Sequence, residues 1–294
     1  MDPKEWKPSS IPFTRSSNLG PAKLPTVAEM RTSHAVLSER SCQTVVAVTP
    51  EIVVKFGRST QAREGQTLLF LEKCVPQVPA PRLYAMFYDA GDLFLVMERI
   101  PGLSLDQIWS ALSEEGKTAL TAQLRIAFDT LRRVSCPWPS FFGSVDGGPV
   151  PHPLFYTDIK GKNDITGPFP NEQHFNAGLT AQYKRLKEMN QQQDFKGFFY
   201  AKHLDQVLCG HKPTFTHADV QRKNVVASKT ENGGYVLTVV DWEDAGWYPD
   251  YWEYFVTFTS FRWDDDWCRR LEDFVSAWPA ETAIMKMINE DLFF

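Results

Sequence analysis

His217-Ala218-Asp219-Val220-Gln221-Arg222-Lys223-Asn224, followed by Asp241 at the end of the apolar run Val236-Leu237-Thr238-Val239-Val240, is the stretch on which the fold assignment turns. Phosphoryl transfer to a hydroxyl needs one carboxylate to orient and deprotonate the incoming group. It needs a second carboxylate and an amide to hold Mg²⁺ against nucleotide phosphates. Asp219, Asn224 and Asp241 supply that set at a workable spacing. Pro213-Thr214-Phe215-Thr216 leads into His217, and Asp219 then falls in a tight loop with Asn224 at its far end. Ser228-Lys229-Thr230-Glu231-Asn232-Gly233-Gly234 reads as a hairpin turn, because Asn and Gly tolerate positive φ. Tyr235 to Val240 reads as a buried strand bounded by turn signals. The hairpin returns Asp241 beside Asn224, so one ion can bind both, and two protein oxygens with water and phosphate suit Mg²⁺. Single Asp and Asn residues in loops are commonly turn formers. The second segment, Val239-Val240-Asp241-Trp242-Glu243-Asp244-Ala245-Gly246, is what turns the first into a constellation.

These two segments resemble the aminoglycoside phosphotransferase and choline kinase branch of the protein-kinase-like superfamily, whose members carry HGDxxxxN and then a DWE-x-A-G-like segment. The resemblance implies Asp219 as catalytic base, Asn224 and Asp241 as metal ligands, and His217 as a support for the loop. It leaves Glu243 either near the metal or facing solvent. Ala218 stands where the family has Gly, a small change. Gln221 stands where eukaryotic protein kinases place Lys, which favours a small-molecule kinase.

The chain has 294 residues, enough for one large two-lobed unit. Hydrophobic residues make up 43% and aromatics 13%, which argues for a substantial core and against disorder. A formal net charge of −5 speaks against a broad nucleic-acid-binding surface, so no nucleic-acid partner is expected. The five cysteines are scattered without metal spacing, and reduced thiols in a cytoplasmic compartment are the default. No apolar run approaches membrane-spanning length, and no membrane association is expected. Residues 1–28, rich in Pro, Ser and Lys, are expected to form an extended arm or flexible tail.

Gln43 to Val48 and Ile52 to Phe56 are β-branched runs joined by Thr49-Pro50-Glu51, a hairpin pattern. A Lys flanked by apolar neighbours, as in Val54-Lys55-Phe56, can turn its ammonium inward across nucleotide phosphates, where it needs an anionic partner. In the family a strand Lys pairs with a helix Glu. Glu64, nine residues on at the head of a helical pattern, matches that partner, and Glu72 is its competitor. No glycine lies between Gly20 and Gly57, so no GxGxxG loop covers the phosphates. Ser38-Glu39-Arg40-Ser41-Cys42 takes its place, with the hydroxyls of Ser38 and Ser41 or backbone amides as phosphate contacts. The strand Leu93 to Ile100 breaks at Pro101-Gly102. In the family this is the hinge that binds the adenine edge, which implies backbone groups of Glu98 and Ile100 there, with Met97 lining the pocket.

Helical spacing follows over Ser104 to about Val134, then a Pro-, Gly- and aromatic-rich stretch to about Gln173, and helical patterns over His174–Asn190 and Phe198–Leu208. In the superfamily such segments build the acceptor-substrate wall. Trp247, Tyr248, Tyr251, Trp252 and Tyr254, with Asp264-Asp265-Asp266 beyond, suit either a cationic amine site or, at this spacing, the core. The histidines show no zinc-ligand spacing.

The expected fold is α+β and two-lobed, protein-kinase-like. Residues 1–28 are the arm and 29–97 a β-rich nucleotide lobe, an antiparallel sheet with a helix. Residues 98–294 are a larger, mostly helical lobe. The expected activity is Mg²⁺-dependent transfer of the γ-phosphate of ATP or GTP to a hydroxyl of a small molecule (aminoglycoside, choline-like amine or secondary metabolite), by a monomer or homodimer. The alternatives are a catalytically silent kinase-fold binding module and a kinase fold repurposed for another reaction.

Overall fold

The runs Val45–Ala47, Val53–Lys55 and Leu93–Met97, apolar except for Lys55, organise the first part of the molecule. The computed structural model describes residues 1–16, 19–40, 42–159, 161–260 and 265–293. The chain divides into two compact units. The first comprises Met1, Trp6–Leu120 and Arg222–Glu243; the second comprises Asp2–Glu5, Thr121–Gln221 and Asp244–Phe294. Residues 98–120 and 222–243 therefore group with the nucleotide-lobe segment that precedes residue 98.

In the first unit six strands form one antiparallel sheet: β1 (Phe13–Thr14), β2 (Val36–Arg40), β3 (Gln43–Ala47), β4 (Ile52–Gly57), β5 (Leu83–Asp89) and β6 (Asp92–Glu98). Their order across the sheet is β1-β5-β6-β4-β3-β2. Successive side chains on a strand point to opposite faces. Val46, Val54, Phe94 and Val96 accordingly share a core with Met30 of the short helix α1 (Val27–Arg31). Lys55, between Val54 and Phe56, is turned to the other face. That face carries α2 (Ala62–Cys74), whose residues 64–71 are buried on every side. Gly65 lets the helix sit close on the sheet: a Cβ there would lie 2.8 Å from Met86 Sδ and 3.2 Å from Leu95.

Beyond the sheet, β7 (Leu103–Ser104) leads into α3 (Leu105–Ile108), and α4 (Glu114–Arg132) carries the chain into the second unit. There β8 (Gly143–Ser144), α5 (Asn163–Thr166), α6 (Glu172–Met189), α7 (Phe195–Val207) and β9 (Pro213–Thr216) follow. The chain returns to the first unit as the hairpin β10 (Val225–Lys229) and β11 (Tyr235–Val239), which joins β7 in a second sheet of order β11-β10-β7. It ends in the second unit with β12 (Gly246–Pro249), α8 (Trp252–Ser260), α9 (Leu271–Phe274) and α10 (Pro279–Phe293). The second unit packs Phe155, Phe175, Tyr248, Tyr251, Trp252 and Phe255 into one core. Tyr248 and Trp252 stack with ring centroids 5.2 Å apart. The aromatics at 247, 248, 251, 252 and 254 are thus buried core residues and not an open cage for a cationic amine. Asp265 accepts a hydrogen bond from the Trp267 N–H at 2.9 Å, and Asp264 lies outside the described residues.

Residues 6–15 run as a strap along the first unit. Trp6 is buried against Phe70 and Phe13–Thr14 pairs with the edge of β5.

Candidate active site

In the first unit a cavity of about 410 Å³ is lined by Lys55, Glu64, Met97, Glu98, Ile100, Asn224 and Asp241. β4 and β6 supply Lys55 and Met97, α2 supplies Glu64, and Asn224 and Asp241 flank the β10–β11 hairpin. Pairing of Val225 with Val239 puts Asn224 opposite Val240, whose N–H donates to the Asn224 carbonyl at 2.9 Å. Asp241 is the next residue. It adopts φ 63°, a left-handed conformation that Asp tolerates better than most side chains and that turns the chain out of the strand.

Lys55 Nζ lies 2.8 Å from carboxylate oxygens of Glu64, Asp241 and Glu243. The ammonium is buried, and burial alone would favour its neutral form. The three carboxylates outweigh that and hold its pKa well above the ordinary lysine value. Burial pushes the Glu64 carboxyl up to about 7, with Lys55 opposing the rise and Asp241 and Glu243 adding to it. Glu72, the competing partner, instead takes Arg15 in a bidentate pair at the strap.

Glu243 sits inside this group and does not face away into solvent. Its side chain accepts from Arg40 and Gln43 at 3.3 Å each, and its carbonyl accepts from Arg63 Nε at 3.0 Å. Arg40 at the end of β2 and Gln43 at the start of β3 are therefore both held by the Glu243 carboxylate. Ser38 lines the cavity, and Ser41 lies outside the described residues.

At the end of β6, the Glu98 N–H donates to Arg82 O and the Arg99 N–H to Glu51 O, both at 2.9 Å. Glu98 and Ile100 both line the cavity, and the Ile100 N–H has no backbone partner among the described residues. Proline at 101 has no N–H to add.

Ligand atoms of Glu64, Asp241 and Glu243 lie within 4.8 Å of one another. Three carboxylates around one ammonium leave an excess of negative charge, and the buried amide of Asn224 lines the same cavity. Hard oxygen donors with surplus anionic charge are what Mg²⁺ takes, so the residues present fit that ion.

The second unit carries Asp219. Its N–H donates to His217 Nδ1 at 3.2 Å, and its carboxylate accepts from Gln221 Nε2. His217 is fully buried. Ala218 has φ 66°, a region where a Cβ is strained, so the change from the family's Gly is larger than its size suggests. The loop is held from α8: both oxygens of buried Glu253 accept backbone N–H groups, from His217 at 2.8 Å and Ala218 at 3.0 Å. Burial raises the Glu253 carboxyl, and His217 and Arg132 act against the rise. Its only sequence signal is one carboxylate inside Tyr251-Trp252-Glu253-Tyr254-Phe255, where the helix has no solvated face. His152 is a second group that spacing did not flag. Burial lowers its pKa to about 4, with Asp219 opposing the fall, and it packs edge-on to Trp252 at 5.2 Å.

A family model described as the phosphotransferase enzyme family matches residues 35–285. No curated protein matches the chain. Similar solved structures include the streptomycin-ATP-APH(2")-IIa ternary complex, at 19% identity and a TM-score of 0.57, covering 88% of this chain and 86% of that one. The GDP and kanamycin complex of APH(2")-IIia is 17% identical with a TM-score of 0.54, covering 88% and 85%. Aminoglycoside phosphotransferase APH(3'')-Id from Streptomyces rimosus is 14% identical with a TM-score of 0.55, covering 88% and 92%. These likenesses show a kinase-like α+β fold. Among the described residues no helix is long and apolar enough to cross a membrane.

Proposed function

The chain belongs to the phosphotransferase enzyme family and is a small-molecule kinase, and from that premise we propose that it moves the γ-phosphate of ATP or GTP to a hydroxyl of a small molecule, with Mg²⁺ as cofactor. The observation that supports this best is the convergence of Lys55, Glu64, Asn224 and Asp241 on one cavity beside the hinge residues Met97, Glu98 and Ile100. Lys55 binds nucleotide phosphate oxygens, and Glu64 holds its ammonium in place. Asn224 and Asp241 hold the metal. When bound, Mg²⁺ neutralises phosphate charge as it redistributes in the transition state. Asp219, five residues before Asn224, orients the acceptor hydroxyl and takes its proton, while Glu253, through the amides of His217 and Ala218, fixes its loop. Positioning and charge neutralisation supply most of the rate enhancement in such transfers.

The acceptor is of the aminoglycoside, choline-like amine or secondary-metabolite class. Three structural neighbours are named as aminoglycoside phosphotransferases or as complexes with streptomycin or kanamycin, which supports the first of these. The enzyme works in the cytoplasm as a monomer or homodimer, without nucleic-acid or membrane partners.

The test is a library of hydroxylated small molecules screened for nucleotide consumption, with Asp219→Asn as the blank. The variant is expected to lose transfer yet keep the rise in melting temperature that Mg²⁺-nucleotide gives a native-state binder. Unchanged turnover in Asp219→Asn would remove Asp219 from the base role.

A further inference from the structure

The helix that carries Glu64 is gripped from two sides. On one side it lies on the sheet at Gly65. On the other it meets the strap of residues 6–15. At about 100° per residue, Gln66 and Phe70 stand about 200° and 240° around the helix from Glu64, on the face turned away from Lys55. The strap takes hold of that face. Gln66 is buried, and its amide makes two bonds with one residue: Ser9 N–H donates to Oε1 at 2.9 Å, and Nε2 donates to the Ser9 carbonyl at 2.8 Å. Trp6 packs edge-on to Phe70 with ring centroids 5.3 Å apart. Two residues past Phe70, Arg15 forks onto Glu72 while its Nε donates to the Leu83 carbonyl at 2.8 Å, tying helix, strap and sheet together.

Such a grip has a mechanical consequence. The N-cap of α2, Gln61, makes no side-chain capping bond, and Glu64 sits in the first turn. A helix start without a cap frays readily, so the position of Glu64 depends on tertiary contacts. An amphipathic helix on a sheet ordinarily leaves one face to solvent. Here that face is covered, and eight consecutive residues, 64–71, are buried.

We propose that residues 6–15 are a positioning strap for the Lys55–Glu64 pair, with Gln66 and Ser9 as its central clasp. The strap presses α2 onto the sheet and keeps the Glu64 carboxylate at Lys55 before nucleotide arrives. It acts through the phosphate-clamping role proposed above for Lys55 and so rests on that reading. Gln66 touches no substrate; it acts through Glu64.

A double-mutant cycle on the full chain tests this, with the affinity for Mg²⁺-ATP and Mg²⁺-GTP read by calorimetry and amide hydrogen exchange followed over residues 62–74. Gln66→Ala is expected to weaken nucleotide binding about five- to tenfold, the worth of one to two hydrogen bonds, and to speed exchange in α2. In a Glu64→Gln background the same change is expected to weaken binding by less than about twofold, because the group it positions is already gone. Equal losses in both backgrounds would mean a general structural role and overturn the strap. So would an unchanged affinity in Gln66→Ala alone. If Gln66→Ala does not fold, Arg15→Gln at the other end of the strap completes the same cycle. Should Glu64→Gln by itself leave binding intact, the clamp reading fails first and the strap with it, an outcome distinct from the other two.

Discussion

Replacing Lys55 with Met removes the ammonium from among three carboxylates and leaves Glu64 buried without its counter-ion. Asp241 and Glu243 keep about a fifth of their side-chain surface exposed and can rehydrate, whereas Glu64 keeps 3%. Taking one partner from a buried pair costs about 3–5 kcal/mol when the other stays charged. Glu64 has a cheaper course, which is to hold a proton. In the native chain its folded pKa is already raised to about 7, with Lys55 opposing the effect of burial; without Lys55 it rises further, while the unfolded value stays near about 4.3. Between those two values the folded chain binds one proton more than the unfolded chain. The stability tied to that proton is full below about pH 4 and falls by about 1.4 kcal/mol per pH unit as pH rises. The native chain follows that slope only to about 7. Above it the variant alone keeps losing. Urea unfolding of Lys55→Met should therefore show a small deficit at about pH 5.5, growing to about 3 kcal/mol near pH 8.5. Lys55→Met with Glu64→Gln should recover most of the loss at the higher pH, without recovering nucleotide affinity. A deficit that does not change with pH, or a double variant no more stable than the single one near pH 8.5, would refute the reasoning.

Two further outcomes follow from single positions and a third from removing the metal. Ala218 holds φ 66°, so Ala218→Gly should relieve about 1–2 kcal/mol of left-handed strain against about 0.5–1 kcal/mol of added chain entropy, and differential scanning fluorimetry should show a rise of a degree or two. Glu253→Gln can accept from only one of the His217 and Ala218 amides, and the unpaired one should cost about 1–3 kcal/mol in unfolding assays, with turnover falling alongside. Chelation of divalent cations should abolish most of the melting-temperature rise given by nucleotide, because the Asp241 and Glu243 carboxylates then face the phosphates uncompensated; a rise unchanged by EDTA would argue that Lys55 alone carries phosphate binding.

The sequence by itself determined the elements whose signals are local. The β10–β11 hairpin is written in a turn rich in Asn and Gly between two β-branched runs, and it brings Asn224 and Val240 together at 2.9 Å. Side-chain alternation turned Lys55 away from the Val54 core, and a helical pattern beginning near Glu64 offered that carboxylate and Glu72 as partners, of which the family resemblance favoured Glu64. Those are periodicities of two and 3.6 residues, and they survive in one dimension. Tertiary structure alone decided the contacts between distant segments. Glu253 lies 36 residues from His217, Gln66 lies 57 from Ser9, and Lys55 lies 186 from Asp241. Residue type shows that a carboxylate inside an aromatic helix, or an amide inside a buried one, must find partners, since an unpaired buried polar group is costly. It does not show which backbone will approach. The same limit governed the aromatics from Trp247 to Tyr254: their spacing allowed a ligand cage or a core, and only packing decided it, with Tyr248, Tyr251 and Trp252 against Phe155, Phe175 and Phe255 and Trp247 against Phe215. At Ala218 and Asp241 the strain appears only in three dimensions, because a φ of 66° or 63° belongs to the path of the chain and not to the residue that has to follow it.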